Sequence, residues 1–210
     1  RIMNYDVIIT SMCSTNTYIL HSGNSAIIVD PGDDARNITE YLDRKSLIPK
    51  FILITHNHFD HVGAVARLKS YFTDIKIYAP RIDYKLLKDA EFICDCFAKI
   101  PVEPFDVDFE VGDGDEFTIL DSTFKVISTP GHTQGGVCYI IDGKTILTGD
   151  TLFRRGVGRT DLPSGDAQSL RASIKRLYEL DGDYAVLPGH GEPTTLQEER
   201  DGNPYVRRNP

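Results

Sequence analysis

Residues 55–63 read Thr-His-Asn-His-Phe-Asp-His-Val-Gly, directly after the apolar run Phe51-Ile52-Leu53-Ile54. Three histidines and an aspartate at the end of a predicted strand constrain the fold more than any other segment. Imidazole and carboxylate are common donors to zinc and non-haem iron, and neither packing nor solubility calls for this density of them. Of the chain's six histidines, two more stand in sharp turns, His132 in Thr129-Pro130-Gly131-His132-Thr133 and His190 in Leu187-Pro188-Gly189-His190-Gly191. A Pro-Gly-His turn presents the imidazole from a strongly bent backbone at the end of an element. Between these turns, Leu147-Thr148-Gly149-Asp150 ends an apolar run on a carboxylate. His21 has no such setting and reads as a plain surface residue.

His56, His58, Asp60, His61, His132, Asp150 and His190 are too many for a structural zinc, which four donors close. They suit two metals that share a bridge. His56 and His58 can point into one cavity, with His132 completing a first trio. Asp60 and His61 follow on the next turn and would serve a neighbouring ion with His190, while Asp150 gives one oxygen to each metal. Two ions about 3.5–4 Å apart can hold an activated hydroxide at neutral pH. Zinc is the first expectation for these two divalent ions, with iron and manganese also suited to a mixed histidine–carboxylate set.

The remaining pattern predicts a scaffold for these loops. Val7–Ile9, Thr17–Leu20 and Ala26–Val29 are short runs rich in β-branched residues, read as an opening antiparallel meander. Asp33 or Asp34 is placed to cap a helix through about Ser46. Strands are expected over Phe51–Thr55 and Ile75–Tyr78, and helices over Val62–Phe72 and after Pro80. Residues 90–111 are the least readable and form a candidate lid. Strands resume at 116–120, 124–127, 136–141 and 145–148, with a hairpin at Asp142-Gly143. A helix over Ala167–Leu180 and a strand over Tyr184–Leu187 follow. Every candidate ligand falls in a loop just beyond an element, where a rigid scaffold presents chemistry.

With 210 residues and no linker or repeat, the expectation is one domain over 1–210. A net charge of -8 argues against nucleic acid as a partner. No apolar run suits a bilayer and no signal peptide is read, so the expectation is no membrane and a cytoplasmic location. Cys13, Cys94, Cys96 and Cys138 lack an even framework spacing and read as reduced thiols, with a second metal site at Cys94-x-Cys96 the lesser reading.

His56-x-His58-x-Asp60-His61, followed by His132, Asp150 and His190, resembles the metallo-β-lactamase superfamily. That resemblance implies an α+β class, a four-layer αββα sandwich with the metals at one edge. Asn16-Thr17-Tyr18 and Val29-Asp30-Pro31-Gly32 resemble the N-terminal half of that family, where Asp30 would orient a ligand histidine. Asp150 argues against antibiotic hydrolysis, because true lactamases commonly have a cysteine or no bridging carboxylate there. His58 argues against flavodiiron proteins, which carry glutamate there.

Gly149-Asp150-Thr151-Leu152-Phe153, the run Val157 to Asp166, and Thr195 to Arg200 with Asn203-Pro204-Tyr205 are similar to glyoxalase II, the hydroxyacylglutathione hydrolases. The resemblance implies hydrolysis of a small acyl thioester, with a glutathione-derived one as the candidate substrate. Asp60 would ligate a metal and hold or accept the water proton, and Arg159 is the candidate grip on a substrate carboxylate. Arg207 and Arg208 are weaker candidates. Full glyoxalase II carries a longer helical C-terminal extension that supplies glutathione contacts, beyond the point matched by Pro210 here, so the expectation is that thioester chemistry carries over better than glutathione specificity. A competing reading is a mononuclear-iron persulfide dioxygenase, whose Gly-x-Gly-Arg-Thr-Asp-like segment is matched at Gly156–Asp161 and whose ligands would be His56, His132 and Asp150.

Overall fold

A computed structural model describes residues 3–87 and 102–207. Cys94, Cys96, Arg208 and most of the predicted lid lie outside the described residues. The chain opens as the expected meander, β1 (Asn4–Ile9), β2 (Asn16–Ser22) and β3 (Ser25–Val29), each antiparallel to the one before. After α1 (Ala35–Lys45), β4 (Ile48–Leu53) adds parallel to β3. Next come α2 (Phe59–Val62), α3 (Val65–Tyr71), β5 (Lys76–Pro80) and α4 (Arg81–Leu87). With β6 (Phe109–Val111) these strands make a six-stranded sheet in the order β1-β2-β3-β4-β5-β6.

The second sheet collects β7 (Glu116–Ile119), β8 (Ser122–Ser128), β9 (Val137–Ile141), β10 (Thr145–Gly149), β13 (Ala185–Pro188) and β14 (Thr194–Thr195) in the order β14-β13-β10-β9-β8-β7. A small hairpin of β11 (Leu152–Phe153) and β12 (Gly156–Val157) follows β10. The helices α5 (Ala167–Tyr178) and α6 (Leu196–Gly202) complete the chain.

Three apolar clusters give the layer order, because successive strand side chains point to opposite faces. In β9, Val137, Tyr139 and Ile141 pack between the sheets, while Cys138 and Ile140 pack beneath α5 with Leu170, Ile174 and Leu177. In β3, Ile27 and Val29 join the inter-sheet cluster, whereas Ala26 and Ile28 meet Ile38 and Leu42 of α1 and Leu68 of α3. Helices therefore cover the outer face of each sheet, the αββα arrangement, and strands covered on both faces read as nearly continuous apolar runs. Among the described residues no helix is long and apolar enough to cross a membrane.

Several expectations need correction. Asp34 holds the N-cap position of α1 but makes no capping bond; its carboxylate accepts Ser11 N–H instead. The helix expected over Val62–Phe72 is two helices, α2 and α3, interrupted at Gly63-Ala64. The break lies where the chain presses on the loop after β3: a Cβ on Gly63 would sit 2.3 Å from Gly32 O. Phe109–Val111, assigned to the candidate lid, is an edge strand pairing parallel with β5. The hairpin at Asp142-Gly143 forms with both residues at positive φ, the primed geometry that matches strand twist.

Candidate metal centre

One edge of the sandwich gathers the loops that leave the C-terminal ends of β3, β4, β8, β10 and β13. The loop after β4 and the short α2 carry His56, His58, Asp60 and His61; His132, Asp150 and His190 follow β8, β10 and β13. Six of these seven side chains assemble as two trios, His56–His58–His132 and Asp60–His61–His190, with donor atoms within 4.8 Å of one another in each. Asp150 lies between them, its Oδ2 3.4 Å from His132 Nε2 and 3.3 Å from His190 Nε2, and its Oδ1 3.3 Å from His61 Nε2. Five of the seven are buried, and Asp150 and His190 are partly buried.

The donors are aimed by their surroundings. Asp30, at φ 48°, accepts Thr55 N–H at 2.7 Å and the Thr55 hydroxyl at 2.6 Å, and faces His61 Nδ1 at 2.9 Å. His61 therefore turns Nε2 into the centre. His132 Nδ1 is 2.8 Å from the carbonyl of Arg159, and His56 Nδ1 is 3.0 Å from Thr55 Oγ1. These second contacts fix ring orientation, as at metal sites generally.

The start of β2, which sequence reasoning singled out only by resemblance, proves to be a support for the second trio. Thr15 Oγ1 donates to Asp60 Oδ2 at 2.9 Å, and Thr17 Oγ1 donates to the Asp30 carbonyl at 2.8 Å. Asn16 Nδ2 donates to the carbonyls of Pro188 and Gly191, while Tyr18 Oη donates to Pro188, so the His190 turn is held from both ends. The signal was present in the sequence as polar side chains at the mouth of an apolar strand.

Electrostatics divide the cluster. Burial lowers His56 well below the ordinary imidazole value and, aided by the facing His132, holds His58 at about 3. Burial also lowers His132. For His190 burial again disfavours the cation, but hydrogen bonds to Asp150 and Asp60 outweigh it and raise its pKa to about 9. Burial pushes Asp60 up, yet His61 and His190 overcome it and hold the carboxyl at about 2. Asp150 is held well below the carboxylate range in the same way.

The residues fit a metal. His56 Nε2 and Asp150 Oδ1 are buried and make no hydrogen bond, which is rare for native polar groups and calls for an explanation such as an ion. His58 Nδ1 faces His132 Nε2 at 2.9 Å, and His61 Nε2 faces His190 Nε2 at 3.3 Å. The neutral imidazoles of the first trio and the ionised carboxylates suit a divalent cation as they stand, while His61 and His190, whose pKa values the facing carboxylates raise, would give up a proton to it. Arg159 is placed differently from a free cation: its guanidinium pairs in bidentate fashion with Asp161 at 2.7 Å, while its carbonyl serves His132.

Comparison with known proteins agrees with the fold and the centre. Residues 11–190 match the metallo-beta-lactamase superfamily model, and the chain belongs to that superfamily. The probable metallo-hydrolase YqgX of Bacillus subtilis is 36% identical, covering 91% of this chain and 92% of that protein. The hydroxyacylglutathione hydrolase GloC of Haemophilus influenzae is 33% identical, covering 97% and 98%. Among solved structures, the B3 metallo-beta-lactamase BLEG-1 superposes with a TM-score of 0.89 at 35% identity, covering 97% of this chain and 99% of that one. TTHA1623 in a di-iron-bound form gives 0.84 at 35% (96% and 100%), and ETHE1 from Myxococcus xanthus gives 0.76 at 27% (96% and 84%). The His/Asp cluster is thus the metal-binding centre of a metallo-hydrolase superfamily member.

Proposed function

We propose that the protein is a metal-dependent thioester hydrolase of the glyoxalase II kind, acting on a small acyl thioester. The observation that carries the reading is the convergence of two donor trios on a shared Asp150. The substrate class is supported by full-length similarity to the hydroxyacylglutathione hydrolase GloC. His56, His58 and His132 would hold one divalent ion and Asp60, His61 and His190 the other, with Asp150 placed to serve both. When bound, such a pair supplies a water with pKa near 7 and polarises an acyl carbonyl.

The protein's own groups do the rest. Asp60 stays ionised, fixed through Oδ2 by the Thr15 hydroxyl, so it accepts a hydrogen bond from the attacking water and sets its direction. The buried walls keep bulk water from the donors and strengthen the electrostatics. Arg159 would take a substrate carboxylate by exchanging it for Asp161. Zinc is the first expectation for the ions, and the di-iron form of TTHA1623 keeps iron in view.

The test is an assay of purified protein with two ions bound, on S-D-lactoylglutathione, other acyl thioesters and a β-lactam. The β-lactam is needed because BLEG-1 is a metallo-beta-lactamase at 35% identity. Thioester turnover supports the reading; its absence across the panel with metal bound overturns it. A second reading, a mononuclear-iron persulfide dioxygenase using His56, His132 and Asp150, is favoured by the Gly156–Asp161 segment and by similarity to ETHE1. One iron per chain with oxygen uptake on glutathione persulfide would decide for it.

A further inference from the structure

Asp83 on α4 is fully buried and stands outside the metal donors. Its Oδ1 accepts Gly135 N–H at 2.7 Å, and its Oδ2 accepts Asn57 N–H at 3.0 Å and the Thr133 hydroxyl at 2.7 Å. Its backbone carbonyl accepts Asn57 Nδ2 at 3.2 Å. Asn57 lies between His56 and His58, and Thr133 follows His132. A single carboxylate therefore joins the two loops that carry every imidazole of the first trio, one loop from each sheet.

His58 shows why this matters. His56 is aimed by Thr55 and His132 by the Arg159 carbonyl. The ring of His58 has no such support among the described residues: Nδ1 faces His132 Nε2, and Nε2 makes no hydrogen bond. Its position comes from its backbone, which Asp83 anchors one residue earlier. The fit is also closed by sterics. A Cβ on Gly135 would lie 2.5 Å from both Asp83 Oδ1 and Asp83 N, so only glycine lets that loop reach the carboxylate.

We propose that Asp83 is the positioning residue for the His56–His58–His132 metal position, locking the two loops in register so that His58 is presented to the ion. The second position has supports of its own, since Asp30 and Thr15 hold His61 and Asp60. The proposal rests on the metal-binding reading of the cluster and not on the choice of substrate.

The experiment is titration of metal-free protein with cobalt(II), followed by the visible spectrum and by the number and affinity of ions bound. Asp83→Asn keeps the shape but turns one acceptor into a donor facing an N–H. One ion should bind 10- to 100-fold more weakly, with its spectral band altered and the other ion unchanged. Gly135→Ala should reproduce the same selective loss by pushing the carboxylate, and Thr133→Val should give a milder form. Asp30→Asn should weaken chiefly the opposite ion, since Asp30 faces His61 directly and reaches His56 only through Thr55. A general structural role would weaken both ions together, and that outcome overturns the proposal. So does wild-type affinity for both ions in folded Asp83→Asn and Gly135→Ala. If Asp83→Asn does not fold, Gly135→Ala and Thr133→Val decide alone. A wild-type chain that takes up no cobalt overturns the metal reading itself, and the proposal with it.

Discussion

The Nδ1 of His58 faces the Nε2 of His132 across 2.9 Å, although one residue leaves the first sheet and the other the second. Both rings are held neutral by burial, His58 down to about 3. Both rings would serve as donors to a divalent ion held by the first trio. His132→Ala is therefore expected to lower the bound metal from two ions to about one, read by elemental analysis. Chelation of the wild type should abolish turnover, and added divalent metal should restore it.

Asp30 serves two partners in the same neighbourhood, the Thr55 backbone and His61. Asp30→Ala leaves the buried Thr55 N–H without an acceptor, at a cost of about 1–3 kcal/mol. It also frees the His61 ring, for which a 10- to 100-fold loss of metal affinity is expected. Urea denaturation and metal titration on the same variant check the two parts separately.

A side chain at Gly189 would press on the centre directly, since a Cβ there lies 2.3 Å from Asp150 Oδ1 and 2.7 Å from His61 Cε1. Gly189→Ala should fold but lose activity by about 100-fold, the scale expected of a displacement near 1 Å at a reacting centre. Circular dichroism beside a turnover assay distinguishes this from unfolding.

Burial pushes Asp83 from its ordinary 3.8 up to about 6, against the pull of its three donors. A raised carboxyl binds its proton more tightly in the folded than in the unfolded chain. Relative to Asp83→Asn, the wild type should therefore lose stability as pH rises from about 4 through 6 and level off about one unit beyond, about 3 kcal/mol in all. Urea melts of both metal-free proteins across this range give the difference. A difference that grows with pH would contradict the assignment.

Glu199, fully buried on α6, accepts Arg155 N–H at 2.9 Å, the Thr194 hydroxyl at 2.8 Å and Asn203 Nδ2 at 2.8 Å. It fastens the β11–β12 turn that follows Asp150. Glu199→Ala should cost roughly 1–3 kcal/mol for each donor left unpaired and reduce turnover as the turn loosens. Thermal unfolding and kcat measured together test both effects.

Much of the centre could be read from the chain because its donors sit in local motifs: the 56–61 run, two Pro-Gly-His turns and Gly149-Asp150. Strand periodicity and Asp142-Gly143 likewise revealed the second sheet. What escaped notice depends on contacts distant in sequence. Nothing local marks Asp83, whose partners Thr133 and Gly135 lie about fifty positions away. Asp34 looked like a helix cap, but a tertiary bond to Ser11 takes its carboxylate. Phe109–Val111 is too short to show alternation and is a strand only because β5 offers it an edge. The engagement of Arg159 with Asp161, two residues on, was available to sequence reasoning but is no more probable there than a free side chain.

The ligand loops come in nearly equal parts from the two sheets, His56 to His61 from one and His132, Asp150 and His190 from the other. A loaded centre would thus act as a rivet through the sandwich, closing long stretches of chain much as a cross-link does. Metal scarcity would then shorten the lifetime of the folded molecule as well as silence it, and the metal-free chain should be the form that proteases find first.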